Sequence, residues 1–103
     1  MIKVDIQYKG KGIESLSIKG HANTGDYGKD LVCAAVSACA TGALNALNDE
    51  EENYDIALES GRVEVNFKGN ISEHDQTVIE TLIIQLKTIE ASYPNALTIK
   101  ERK

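Results

Sequence analysis

The sequence predicts an α+β domain: a single antiparallel or mixed β-sheet with two helices, in the order ββαββαβ. Three observations carry this reading. Two pairs of short runs alternate apolar and polar residues around Gly-containing turns. One long stretch is small and apolar throughout. Another repeats apolar residues at three- and four-residue spacing, the period of a helix. With 103 residues, one Pro and no low-complexity run, the chain reads as one domain, 1–103, around one core.

The elements follow in order. Ile2, Val4, Ile6 and Tyr8 point one way and Lys3, Asp5 and Gln7 the other, which is a half-buried strand over 2–8. KGKG, residues 9–12, is a turn. Leu16 and Ile18 alternate within a second strand over 13–19, closing a hairpin. A glycine-rich loop then runs from about Gly20 to Lys29. Asp30 is placed to cap a helix reaching about Asn48. That helix, LVCAAVSACATGALNALN, is small or apolar around its whole circumference, and such a helix is buried on most sides. One sheet covers one side only, so the second helix or a partner subunit must cover the others. DEEEN, residues 49–53, is a charged loop. Residues 54–58 and 62–68 form a second hairpin around ESGR, with Val63, Val65 and Phe67 on one face. Ser72 caps the second helix, with Asp75 at the acidic position three residues later. Val78, Ile79, Leu82, Ile83, Leu86, Ile89 and Tyr93 form its apolar face, and Pro94 ends it. Residues 96–100, ALTIK, are a short last strand.

Composition narrows the function classes. The net charge is −5 and no basic patch is present, which argues against direct contact with nucleic acid. A mildly acidic surface suits a basic protein or peptide. The start, MIKVDIQYKG, has no apolar signal-peptide core. No apolar stretch approaches the ~18 residues of a membrane span. The expectation is therefore a cytoplasmic protein without a membrane partner. Cys33 and Cys39, six apart on one helix, are separated by ~9 Å along its axis, beyond the ~7 Å that a disulfide bridges. Unpaired thiols suit a reducing compartment.

Candidate chemistry centres on GHANTGDYGKDLVCAA, residues 20–35. If Asp30 is the N-cap, Cys33 lies in the first turn. The partial positive charge there favours thiolate over thiol, and the unpaired backbone N–H groups offer sites for an oxyanion. His21, at the end of the preceding strand, is in a position to swing over the helix start as a general base. Asp30 opposes the thiolate if it is ionised nearby; otherwise it caps the helix or orients His21. Ser37 either bonds back to the helix backbone or is a polar neighbour of the site. Packing is the commoner use of a cysteine on an apolar helix, and Cys39, amid alanines, reads as structural. His74 reads as a surface residue. His21, Cys33, His74 and an Asp lack metal-ligand spacing, so no metal is expected. No phosphate-loop pattern is present and no cofactor is implied. Glu50–Glu52 read as a solvated face.

The pattern GHA, then a short loop with YG, then D-x-V-C-A-A-x-S resembles the ribosomal-processing cysteine protease family Prp. Gly20, His21, Ala22, Gly25, Tyr27, Gly28, Asp30, Val32, Cys33, Ala34 and Ser37 carry the resemblance, which extends over essentially the whole chain. It implies a dimeric cytosolic protease without a cofactor. Its substrate would be the precursor of a basic large-subunit ribosomal protein, L-twenty-seven, and it would remove the N-terminal extension as Firmicutes members do. The resemblance makes Cys33 the nucleophile and His21 the base, with Asp30 and Ser37 as possible supporting residues. Gly20, Gly25, Tyr27 and Gly28 would form a substrate loop that moves aside for the peptide and closes over it. Two other readings compete. One is a non-catalytic ribosome-assembly or binding factor using the same groove, which intact Cys33 and His21 disfavour. The other is a redox-sensing thiol protein, for which Cys39 is badly placed as a resolving cysteine.

Overall fold

The computed structural model describes residues 1–20, 27–48, 53–59 and 61–103, with 27–30 described by backbone alone. The chain runs β1 (Ile2–Lys9), β2 (Gly12–Lys19), α1 (Tyr27–Ala46), β3 (Tyr54–Glu59), β4 (Arg62–Phe67), α2 (Glu73–Ser92) and β5 (Leu97–Arg102). This is the ββαββαβ order expected from the sequence. The five strands form one mixed sheet in the order β3-β4-β2-β1-β5. β1 is antiparallel to β2 and parallel to β5, while β4 is antiparallel to both β2 and β3.

Alternation places the core. Ile2, Val4 and Ile6 of β1, Leu16 and Ile18 of β2, Val65 and Phe67 of β4 and Leu97 of β5 are buried on the face that meets the helices. Ile13 is also buried although it breaks the period of two with Leu16. The register explains it: Tyr8 pairs with Ile13 but Gln7 pairs with Ser15, so a bulge at Glu14 returns Ile13 to the core side. From the helices, Val32, Val36, Ala40 and Ala43 of α1 and Ile79, Leu82, Ile83 and Leu86 of α2 complete one cluster. Each large side chain buried there contributes roughly 1.5–3 kcal/mol.

α1 differs from expectation in two ways. It starts at Tyr27, so Asp30 is its fourth residue and not its N-cap. An acid inside the first turn and an acid at the cap both complement the positive helix end, and residue type alone does not separate the two. Asp26, the residue before the helix, lies outside the described residues. Only one stripe of α1 is buried. Leu31 is 62% exposed, and Ala34, Ala38 and Gly42 are exposed as well. Within one chain, the prediction of a helix covered on most sides is not met.

α2 begins as expected: Ser72 is its N-cap, and its Oγ accepts from the Asp75 backbone N–H at 3.2 Å. Asp75 does more than decorate the first turn. Its side chain is fully buried, Oδ1 accepts from the Asn48 N–H at 2.8 Å, and Oδ2 accepts from the Tyr54 hydroxyl at 3.0 Å. It thereby ties the exit of α1 and the start of β3 to the start of α2.

Candidate active site

Cys33 lies half-buried on α1 and lines a cavity of about 330 Å3 between that helix and the end of the sheet. The floor is apolar, with Ile2, Ile18 and Val36. The rim carries Ser37, exposed one turn after Cys33, with Leu58 and Glu59 of β3 and Arg62 of β4. Gly20, the residue before His21, lines the same cavity.

The end of β2 is firmly held. The Gly20 N–H donates to the Gly61 carbonyl at 2.9 Å. Gly20 has φ +98°, and a Cβ built on it would stand 2.5 Å from the Met1 carbonyl oxygen. Both the conformation and the space require glycine here. Gly20, expected as part of a moving loop, is itself held in place just after β2.

Charge at the rim is balanced. Arg62 is the one cation among the described residues lining the cavity. Its Nη2 donates to Glu64 at 2.6 Å and its Nη1 lies 3.4 Å from Glu59, while Lys19 lies 3.1 Å from Glu64. The hydrogen bond from Arg62, then that from Lys19, holds the Glu64 carboxyl below the usual carboxylate range, and the hydrogen bond to Glu64 pushes Arg62 up.

Several sequence assignments move. Cys33 is the seventh residue of α1, in its second turn. The field of a helix end falls off within the first turn, and Cys33 lies beyond the unpaired first-turn N–H groups. The helix end, expected from the sequence to activate Cys33, therefore does not reach it. Tyr27 and Gly28, expected in the substrate loop, form the first two positions of α1. His21 and Gly25 lie outside the described residues. Neither cysteine forms a disulfide. Cys39 lines a different groove, of about 680 Å3 between α1 and α2, with Gly42, His74 and Val78. His74 is partly exposed, as expected, but its Nδ1 lies 2.8 Å from Asp75 Oδ1. No group of three potential metal ligands occurs among the described residues. Leu58, Glu59 and Arg62 were not anticipated at the site. The ESGR turn was legible, but its place beside Cys33 depends on β3 and β4 stacking outside β2, which no local pattern encodes.

A model of the family described as cysteine protease Prp matches residues 1–98. The chain belongs to the cysteine protease Prp family. Membership makes it a cysteine peptidase, a hydrolase of peptide bonds. It is 38% identical over 96 residues to the ribosomal processing cysteine protease Prp of Bacillus subtilis (strain 168), covering 86% of each chain. It is 32% identical over 105 residues to the Prp protease of Staphylococcus aureus (strain Mu50), covering 90% of this chain and 92% of that one. Two solved structures of an S. aureus Prp protease superpose on it. One holds a covalently linked product peptide (TM-score 0.86, 30% identity, 99% of this chain and 100% of that). The other holds a substrate peptide (TM-score 0.87, 29% identity, the same coverage). In a Prp chain the reacting group is a thiol, and of the two cysteines Cys33 is the one that shares a cavity with Gly20.

Proposed function

We propose that the chain, as a single protease domain over 1–103, removes the N-terminal extension of the precursor of large-subunit ribosomal protein L-twenty-seven. Cys33 is the nucleophile and His21 the base. The observation that carries this is Cys33 in an open cavity at the end of β2, in a chain matched along 1–98 by the protease family. The relatives' description as ribosomal processing proteases gives the substrate class.

The chemistry follows from these roles. His21 takes the proton from the Cys33 thiol, and the thiolate sulfur attacks the scissile carbonyl carbon. The C=O electron pair moves onto oxygen. When it returns, the C–N bond breaks, the amine leaves with the proton from His21, and a thioester remains. Water, deprotonated by His21, attacks the thioester. The extension departs as a carboxylate and the thiol is restored. Because Cys33 lies in the second turn, activation rests on the base and not on the helix end. Asp30 and Ser37 are supporting residues. The protein works in the cytoplasm as a homodimer, for which the exposed sides of α1 provide a surface. The net charge of −5 suits a basic substrate.

The test mixes purified protein with the extended precursor and follows its mass. Loss of the extension with wild type, and intact precursor with Cys33→Ala and with His21→Ala, is the expected result. Stable binding without cleavage would replace this reading with an assembly factor. Cleavage surviving Cys33→Ala would remove the proposed site.

A further inference from the structure

The two edges of the sheet are built differently. On β5 the edge is protected: Glu90 of α2 accepts from the Ile99 N–H at 2.8 Å, and the strand ends in Lys100, Glu101 and Arg102. β3 is the opposite edge and pairs with β4 alone. Lys68 N–H donates to Asn53 O at 2.8 Å, so that pair bonds inward. At period two, Asp55, Ala57 and Glu59 also turn their backbone groups toward β4, and Ile56 and Leu58 turn theirs outward. No hydrogen bond from a described residue caps those outward groups. The same two residues expose their side chains, 43% for Ile56 and 57% for Leu58. An open edge with exposed apolar side chains invites pairing with another strand.

What lies beside it identifies the occupant. Leu58 and Glu59, at the end of β3, line the cavity that holds Cys33. A strand added to β3 would lie beside the residues that form that side of the cavity. β3 is six residues long, about 20 Å of extended chain, enough to hold several residues of a peptide away from the scissile bond. Its two acids are already engaged, Asp55 with Lys68 and Glu59 with Arg62, which leaves backbone pairing and apolar contact for recognition.

We propose that the peptide substrate binds as a sixth strand on the outer edge of β3. It pairs with the backbone of Ile56 and Leu58 and packs apolar side chains on theirs, with its scissile bond beyond Leu58 at Cys33. This rests on the protease reading above and names how that site holds its substrate.

The experiment follows backbone hydrogen exchange in Cys33→Ala protein, alone and with a synthetic peptide of the precursor extension. The amides of Ile56 and Leu58 are expected to slow at least tenfold with peptide. Ile56→Asp should lower kcat/KM on the precursor by about tenfold or more, while iodoacetamide still alkylates Cys33 at the wild-type rate, which reports an intact fold and thiol. Ile84→Asp on α2, 64% exposed, should change neither. N-methylation of the peptide, tested on unaltered protein, should weaken binding at alternate positions only. Wild-type cleavage together with an unaffected Ile56→Asp and unprotected amides sinks this inference alone. Amides already protected without peptide, in proportion to protein concentration, give the edge to a second copy and also overturn it. No cleavage by wild type removes the protease reading and this inference with it.

Discussion

The phenol of Tyr54 on β3 reaches the fully buried carboxylate of Asp75 on α2, donating to Oδ2 at 3.0 Å. A buried acceptor that loses a donor costs more than the bond itself contributes, about 1–3 kcal/mol. Tyr54→Phe should therefore destabilise by about 1–3 kcal/mol. Asp75→Ala, which also strands the Asn48 N–H, should cost about 3 kcal/mol or more. Thermal melts check both, since 1 kcal/mol moves the midpoint by roughly 4–8 °C in a domain of this size.

Gly20 and Gly10 form a controlled comparison. Both have positive φ, but a Cβ at Gly10 meets nothing within 4 Å, while one at Gly20 meets the Met1 carbonyl at 2.5 Å. Gly10→Ala should cost about 1 kcal/mol from backbone conformation alone. Gly20→Ala should cost about 1–2 kcal/mol more and should impair cleavage, because it displaces the residue from which His21 follows. Equal melts and equal cleavage for the two variants would show that the close approach is unimportant.

Cys39 faces a different groove from Cys33. Cys39→Ala should retain precursor cleavage within about twofold and lose no more than roughly 1 kcal/mol of stability, since it is half-buried and one atom shorter. Cys33→Ala should abolish cleavage without unfolding the chain. Circular-dichroism melts run beside the mass assay separate the two effects.

Glu64 sets a pH signature. Its carboxyl is held below its ordinary range by Arg62 and then Lys19. A carboxylate depressed in the folded state adds stability above its unfolded pKa, near 4.3, and loses it as pH falls through the lower folded value. The stability gap between wild type and Glu64→Gln should be constant at neutral pH, shrink below about pH 4.3 and close in stronger acid. The gap should also be small and weaken with salt, since these pairs lie at the surface. Urea titrations across pH 3–7 test it.

The fold was legible where a pattern is local. Val63, Val65 and Phe67 announce β4 by alternation, and Ser72 announces the start of α2. The start of α1 was not legible, because Asp30 complements a helix end equally well as a cap or inside the first turn. Asp75 looked like half of a capping box. Its burial depends on Tyr54 and Asn48, more than twenty residues away, and such a partner leaves no trace in local spacing. At the candidate site Cys33 and Ser37 were legible from the helix, whereas Leu58 and Arg62 come to the cavity through strand order alone.

The parallel pairing of β1 with β5 also constrains how the molecule comes into being. Ile2 sits against Leu97 and Gln7 against Arg102, so β1 takes as its second neighbour the strand furthest from it along the domain. Closing so long a loop is slow and entropically costly, and during synthesis it waits until residues 97–102 have left the ribosome. Until then β1 keeps a bare side and α2 has no β5 to pack on. The sheet is therefore complete only once residues 97–102 have been made.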